Sequence, residues 1–399
     1  MEPVKASFLA RPAFKADPYP FYARMRRDAP VFPVSFPAPW PFWLVTRYDD
    51  VAAMLKDERL SRDLLAKLPW FPRFARPLLD NMLGREAPDH TRLRRLVSKA
   101  FTPRRIDELQ GRVKRVCEEL LSKVPPGRPF DLVADYSLPL PLTIIAELLG
   151  VPPEDRDRFH VLVRGTLPIG VPTGSLFDIP GAFPYFWLLM RYFRKLFAER
   201  RLRPRDDLFS ALVQAEEACD RLSTDELLGT ALLLVVAGYE TTMHLIASGA
   251  LALLENPDER ARFVADEGLG DSAIEELLRY TSPFEMTAPR IALEDVTFAG
   301  VTIPKGALVS GGLGSANRDE TQFADPHRLD LQRQPNKHLA LGGGHHFCLG
   351  ASLARLEGRI ALTTLFRGRP ALRLTQPAES LRWRRSVPLR ALAALPVTY

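Results

Sequence analysis

Cysteine is nearly missing from this chain: 399 residues hold only Cys117, Cys219 and Cys348, each more than a hundred positions from the next. An odd, widely spaced set excludes a disulfide framework and suits a reducing compartment, so at least one thiol is left for chemistry. No signal peptide is evident either, since the opening MEPVKASFLARPAFKADPYPFY has no apolar run of the needed length. The longest hydrophobic stretch, around residues 231–237, falls short of the roughly 20 residues that cross a bilayer. A soluble, cytoplasmic protein with no membrane partner is the expectation. Internal repeats and low-complexity segments are also lacking. The formal charge is +6, with basic clusters near 92–95, 104–105, 112–115, 191–205 and 382–385. These clusters lack the aromatic and glycine interleaving that grips single-stranded nucleic acid, so a solvated helix face or an acidic protein partner fits better than DNA.

What is present is an ordinary globular composition, 46% hydrophobic and 26% charged, on a chain long enough to enclose a large cofactor. The 36 prolines fall in connections such as Pro125-Pro126 and Pro152-Pro153, where a fixed φ does little harm. No stretch reads as a linker, which predicts one domain over 1–399. Apolar positions three or four apart predict helices over 48–56, 90–101, 104–123, 137–150 and 207–219. Strand-like runs are fewer: 31–36 and 42–46, then 296–298, 301–303 and 307–310 as a hairpin-like series around Ala299-Gly300 and Lys305-Gly306. The fold class is mainly α, of the α+β kind, with a large helical part and a smaller β-rich one.

Residues 223–255 stand apart. Ser223 and Glu226 form a capping box and Asn256-Pro257 ends the pattern, which predicts one helix of about nine turns. Because it is apolar on most sides, it should cross the interior. Within it lies Ala237-Gly238-Tyr239-Glu240-Thr241-Thr242, and burying that carboxyl and those hydroxyls costs several kcal/mol unless something satisfies them.

A second unusual segment is HLALGGGHHFCLGASLARLEGR, residues 338–359. Three consecutive glycines, Gly342 to Gly344, permit close approach to a flat or bulky ligand. Cys348 follows just before an amphipathic helix, where amide N–H groups and the dipole stabilise a thiolate, a metal ligand. Zinc is disfavoured, because His345, His346 and Cys348 have no second Cys pair nearby. A buried structural cysteine would not need the glycine run.

Gly342-x-Gly344-x-His346-x-Cys348-Leu349-Gly350 resembles the haem-binding signature of cytochromes P450, with Leu341 where that family usually has Phe. Glu276-x-x-Arg279 resembles the family's Glu-x-x-Arg helix, with Arg333 as candidate third partner. The resemblance spans nearly the whole chain in the family's order: the Tyr19-Pro20-Phe21-Tyr22 entry, His90-x-x-x-Arg94, AGYETT, Glu276-x-x-Arg279, Arg290, Asn317-Arg318-Asp319 and the cysteine loop. It implies the P450 fold and haem b (iron protoporphyrin IX), with Cys348 as the iron ligand and His90, Arg94, Arg290 and His346 on the haem propionates. Glu240 and Thr241 match the acid and alcohol that deliver protons for O2 activation, while Gly238 would let the helix widen locally.

The activity so implied is monooxygenation of a hydrophobic small molecule: a steroid, terpenoid, fatty acid or polyketide. The loops expected to line its pocket, residues 61–87 and 166–186, are apolar and aromatic, with Gly170, Gly174 and Gly181 as hinges. No flavin or nicotinamide domain is recognisable, so electrons are expected from a ferredoxin and its reductase, steered by Lys99, Arg104, Arg105, Arg112, Arg355 and Arg359. A peroxide-driven hydroxylase and a haem sensor or carrier without turnover are the other readings. The Glu240-Thr241 pair favours the monooxygenase over both.

Overall fold

Strand Leu308–Gly311 is buried along its whole length and organises the largest sheet. It runs parallel to Phe42–Val45, with Phe42 opposite Leu308, and antiparallel to Arg290–Ala292, with Arg290 opposite Val309. Phe42–Val45 continues antiparallel to Val31–Ser35, whose outer neighbour is the parallel Val4–Lys5. This computed structural model describes residues 2–36, 40–68, 73–98, 101–170, 179–217 and 223–399.

The expected strands are thus present, with one change. Val296–Phe298 and Val301–Ile303 form a hairpin whose turn residues Ala299 and Gly300 take φ of 47° and 75°, as a two-residue loop with right-handed strand twist requires. The next strand does not extend that hairpin. Lys305-Gly306 turns the chain away, and Leu308–Gly311 enters the large sheet because both of its faces are apolar or small and can be covered.

The chain groups into two compact units. One comprises Met1–Leu60, Glu108–Leu140 and Thr241–Tyr399; the other comprises Ser61–Asp107 and Pro141–Glu240. In the first, the sheet lies on a core that includes Val45, Met54, Leu55, Val296, Ile303 and Val309. Helix Ala351–Gly368 packs there against Gln110–Ser122 and Gly270–Thr281. The expected helix over 104–123 is instead two, Pro103–Glu108 and Gln110–Ser122, meeting at Leu109. The second unit is helical. Arg156–Gly170, Ile179–Leu202 and Leu208–Glu217 pack in succession, held by edge-to-face contacts of Phe209 with Phe193 and Phe197 at 5.6 and 4.8 Å.

Helix Thr224–Glu255 is continuous and starts with the expected capping box: Ser223 N donates to Glu226 Oε2 at 2.7 Å and Glu226 N to Ser223 Oγ at 3.2 Å. It is long and apolar enough to span a membrane by length and composition, contrary to the reading of its hydrophobic run. Yet 67% of its most apolar window is buried within the protein, as befits a core helix. The helix stays α-helical across Ala237 to Thr242, so the expected widening at Gly238 does not occur. An added Cβ on Gly238 would come within 3.3 Å of Ile145, so the glycine serves close packing there.

Candidate functional site

The cysteine loop begins with a backbone only glycine tolerates. Gly342 and Gly344 have φ of 74° and 65°, and a Cβ on Gly344 would sit 2.6 Å from the carbonyl oxygen of Leu55. Gly342 N donates to Leu339 O at 2.8 Å and Cys348 N to Leu341 O at 3.0 Å, closing the loop on itself. Leu341, the departure from the usual Phe, is half-buried and supplies that carbonyl. Cys348 is half-buried and in no disulfide, and helix Ala351–Gly368 starts just after it with Gly350 as N-cap. His346 lies in the short turn Gly344–His346, its ring 4.4 Å from that of His345.

Arg290 is fully buried at the start of its strand and donates to Met54 O at 3.2 Å and Leu55 O at 3.1 Å. Farther back, Glu276 and Arg279, both 0% exposed, form a bidentate pair at 2.7 Å. Arg333 Nε, the expected third member, donates to Glu276 Oε1 at 3.2 Å. Arg279 also binds the carbonyls of Asn317 and Pro326 at 2.9 Å, and Asn317 Oδ1 accepts from Leu339 N at 2.7 Å. The clasp therefore fixes the segment that leads into the cysteine loop.

Thr241 begins the part of the long helix that belongs to this unit and is half-buried. That part meets the helix after Cys348 at glycines on both sides: a Cβ on Gly249 would lie 3.2 Å from Leu362, and one on Gly358 3.1 Å from Leu245. The other candidates lie in the second unit. His90 is buried in helix Asp89–Ser98 with half-buried Arg94 one turn on, and Glu240 is 2% exposed.

Several ion-paired or buried carboxylates near the cysteine loop and its helix escaped sequence reasoning. Glu275 accepts from Arg355 Nε and Nη2 at 2.6 and 2.8 Å and lies 3.2 Å from His338 Nε2. Burial alone would raise its carboxyl, but hydrogen bonds from Arg355 and His338 bring it to about 2. The hydrogen bond to Glu275, with a smaller contribution from the Cys348 sulfur, raises the Arg355 guanidinium above its ordinary value. Arg355 was expected to steer a partner; Arg359, Arg105 and Arg112 are likewise ion-paired, to Asp271, Asp206 and Glu119. Lys99 lies outside the described residues. Glu357, in helix Ala351–Gly368, is 1% exposed, and burial pushes its carboxyl up to about 8. Nothing in the linear spacing marks it.

Of the two expected pocket loops, Trp70, Phe71, Val171, Gly174 and Phe177 lie outside the described residues. Met82 is buried, Leu68, Leu78 and Leu79 are half-buried, and Asn81 caps the turn Met82–Gly84. Phe183 is 36% exposed and Trp187 56%.

The donor set suits a haem better than a bare zinc ion: among the described residues one thiol, without a second beside it, stands at a helix start with a buried guanidinium in the same unit. Beside the cysteine there is also room, since a Cβ added to Gly350 meets no atom within 4 Å.

A family model described as Cytochrome P450 matches residues 269–368. The chain is 40% identical over 395 residues to the polyketide biosynthesis cytochrome P450 PksS of Bacillus subtilis (strain 168), covering 96% of each chain. The solved PksS structure superposes with a TM-score of 0.91 and covers 98% of both. Identity to the vitamin D(3) 25-hydroxylase of Pseudonocardia autotrophica is 42% over 392 residues, 96% of this chain and 94% of that one. The myxobacterial cytochrome P450 CYP267B1 in complex with myristic acid matches with a TM-score of 0.90 at 42% identity, over 98% of both chains.

Proposed function

The chain belongs to the cytochrome P450 family and is a haem-thiolate monooxygenase, and from that premise we propose its substrate class, its electron donor and the roles of its residues. Bound haem supplies the activation of O2 and the transfer of one oxygen atom to the substrate. Cys348 would hold the haem iron through its sulfur, whose negative charge the start of helix Ala351–Gly368 and nearby Arg355 would stabilise. Arg290 and His346 would hold haem propionate through charge-assisted hydrogen bonds, a role that the family resemblance also gives to His90 and Arg94. Glu240 and the neighbouring Thr241 hydroxyl would relay protons to the reacting oxygen. The glycine-bound geometry around Cys348 is the observation that carries this reading. Its test is the reduced, carbon monoxide-bound spectrum, expected to show the Soret band of thiolate ligation in the wild type and to lose it in Cys348→His. A wild-type spectrum without that band overturns the assignment.

The substrate is proposed to be a bulky apolar molecule of the polyketide, fatty acid or secosteroid kind. Support comes from the names of the relatives above and from the apolar Leu68, Leu78, Leu79 and Met82. Difference spectra with a macrolactone, a secosteroid and a C14 fatty acid are expected to show a Soret shift with at least one, and silence with all three sinks the proposal. A ferredoxin with its reductase is the proposed donor, favoured by the net charge of +6. Reduction that does not slow with added salt would oppose it. We read the chain as one catalytic domain working in the cytoplasm.

A further inference from the structure

A cavity of about 230 Å³ opens in the first unit, lined by the far end of the long helix and the end of Gly270–Thr281; neither Cys348 nor Thr241 lines it. Two guanidinium groups form its wall. Arg318 is sandwiched between the rings of Tyr19 and Tyr280, at 4.1 and 3.9 Å, and donates to Tyr280 O at 2.8 Å. Arg390 lies 4.1 Å over the Trp383 ring and 5.3 Å from the other side of the wall at Tyr19, held by Lys15 O and Ala16 O at 2.9 Å each.

The lining residues Ser248 and Arg318 are each 3% exposed, and neither Ser248 Oγ nor Arg318 Nε has a hydrogen-bond partner among the described residues. Buried donors left unmade are costly, so an acceptor that reaches either meets little competition. Leu251 and Ala252 give the floor an apolar strip. Among the residues that line the cavity, Arg318 and Arg390 are permanent cations and Glu255 is the one carboxylate, with Glu320, Asp17 and Glu379 acting from behind the wall. Burial raises the Glu255 carboxyl against the pull of Arg390, while burial and Arg318 hold His327 below its ordinary value and so uncharged at neutral pH.

We propose that this cavity binds a small organic carboxylate, its anionic group held by Arg318, Arg390 and the Ser248 hydroxyl and its short apolar body lying on Leu251 and Ala252. A cationic ligand is disfavoured because the Tyr19, Tyr280 and Trp383 faces that would attract it are already covered by guanidinium groups. A drug-sized ligand needs more room than this cavity offers. Paired arginines around a buried hydroxyl match a carboxylate, which accepts several charge-assisted hydrogen bonds at once.

The test is calorimetric titration of the holoenzyme, its iron first saturated with 4-phenylimidazole so that the pocket of the oxygenation site is filled. The probes are hexanoate, 1-hexanol and inorganic phosphate. Hexanoate is expected to bind one to one and more tightly than either other probe. Arg390→Gln is expected to weaken it by about tenfold or more, the loss of one charge-assisted contact. Because Arg390 also braces the backbone of Lys15 and Ala16, Ser248→Ala serves as the second variant: it removes only the hydroxyl, and should weaken hexanoate by about threefold or more with an unchanged Soret band. Equal binding of hexanol or phosphate, unchanged affinity in both variants, or no heat at all overturns the proposal.

Discussion

Arg290 and Gly344 converge on one atom, the carbonyl oxygen of Leu55. Arg290 Nη2 donates to it at 3.1 Å, while Gly344 passes so close that a Cβ would lie 2.6 Å away. A strand of the large sheet, the turn after helix Tyr48–Met54 and the cysteine loop are thereby tied at a single point. The bond orients a buried cation, and the missing side chain lets the loop approach it.

Gly344→Ala therefore meets both a steric and a conformational penalty, since φ is 65° there. The expected cost is about 1–3 kcal/mol, with haem retained less well. Haem content per protein, measured as the pyridine haemochrome, should fall, and full occupancy with unchanged thermal stability would contradict the loop geometry.

Removing Glu276 strands Arg279 and Arg333, which it bridges from a fully buried position. Glu276→Ala is expected to cost about 3–5 kcal/mol, because two cations lose their counter-charge in a desolvated site. Arg333→Met, which leaves the inner pair intact, should cost clearly less. Denaturant midpoints of the two variants decide the order.

Glu357 gives stability a pH dependence of known sign. Its folded carboxyl is raised to about 8 by burial, whereas an unfolded one ionises near 4.3. The unfolded chain releases this proton first as pH rises, so the stability it contributes is complete below about 4.3 and is lost progressively up to about 8. Glu357→Gln should accordingly be more stable than the wild type at pH 8.5, by an amount on the order of several kcal/mol, and by only about 1 kcal/mol at pH 5. Melting scans at both values test this, and a difference that grows toward acid refutes it.

Thr241→Ala is expected to bind haem and substrate as the wild type does while diverting electrons to peroxide. The readout is product formed per NADPH consumed, together with peroxide released. An unchanged ratio rules Thr241 out as a proton donor. Glu240→Gln should instead slow turnover, because its neighbour's hydroxyl is left without a proton source.

What the amino-acid order determined by itself is local. The capping box at Ser223 and Glu226, the helix it opens, the hairpin around Ala299-Gly300 and the glycine run before Cys348 all follow from short-range rules of backbone freedom and periodicity, and all are in the fold. The Arg333 partner of Glu276 was also legible, through family resemblance. Tertiary structure alone decided the rest. It sent Leu308–Gly311 into the large sheet and not into the hairpin, because burial on both faces outweighs proximity in the chain. It paired Arg355 with Glu275, and it buried Glu357 so that desolvation governs its carboxyl. It also stacked Arg318 between Tyr19 and Tyr280, residues hundreds of positions apart for one ring and tens for the other. Charge pairing and desolvation depend on distances in space, and no pattern along the chain carries those distances.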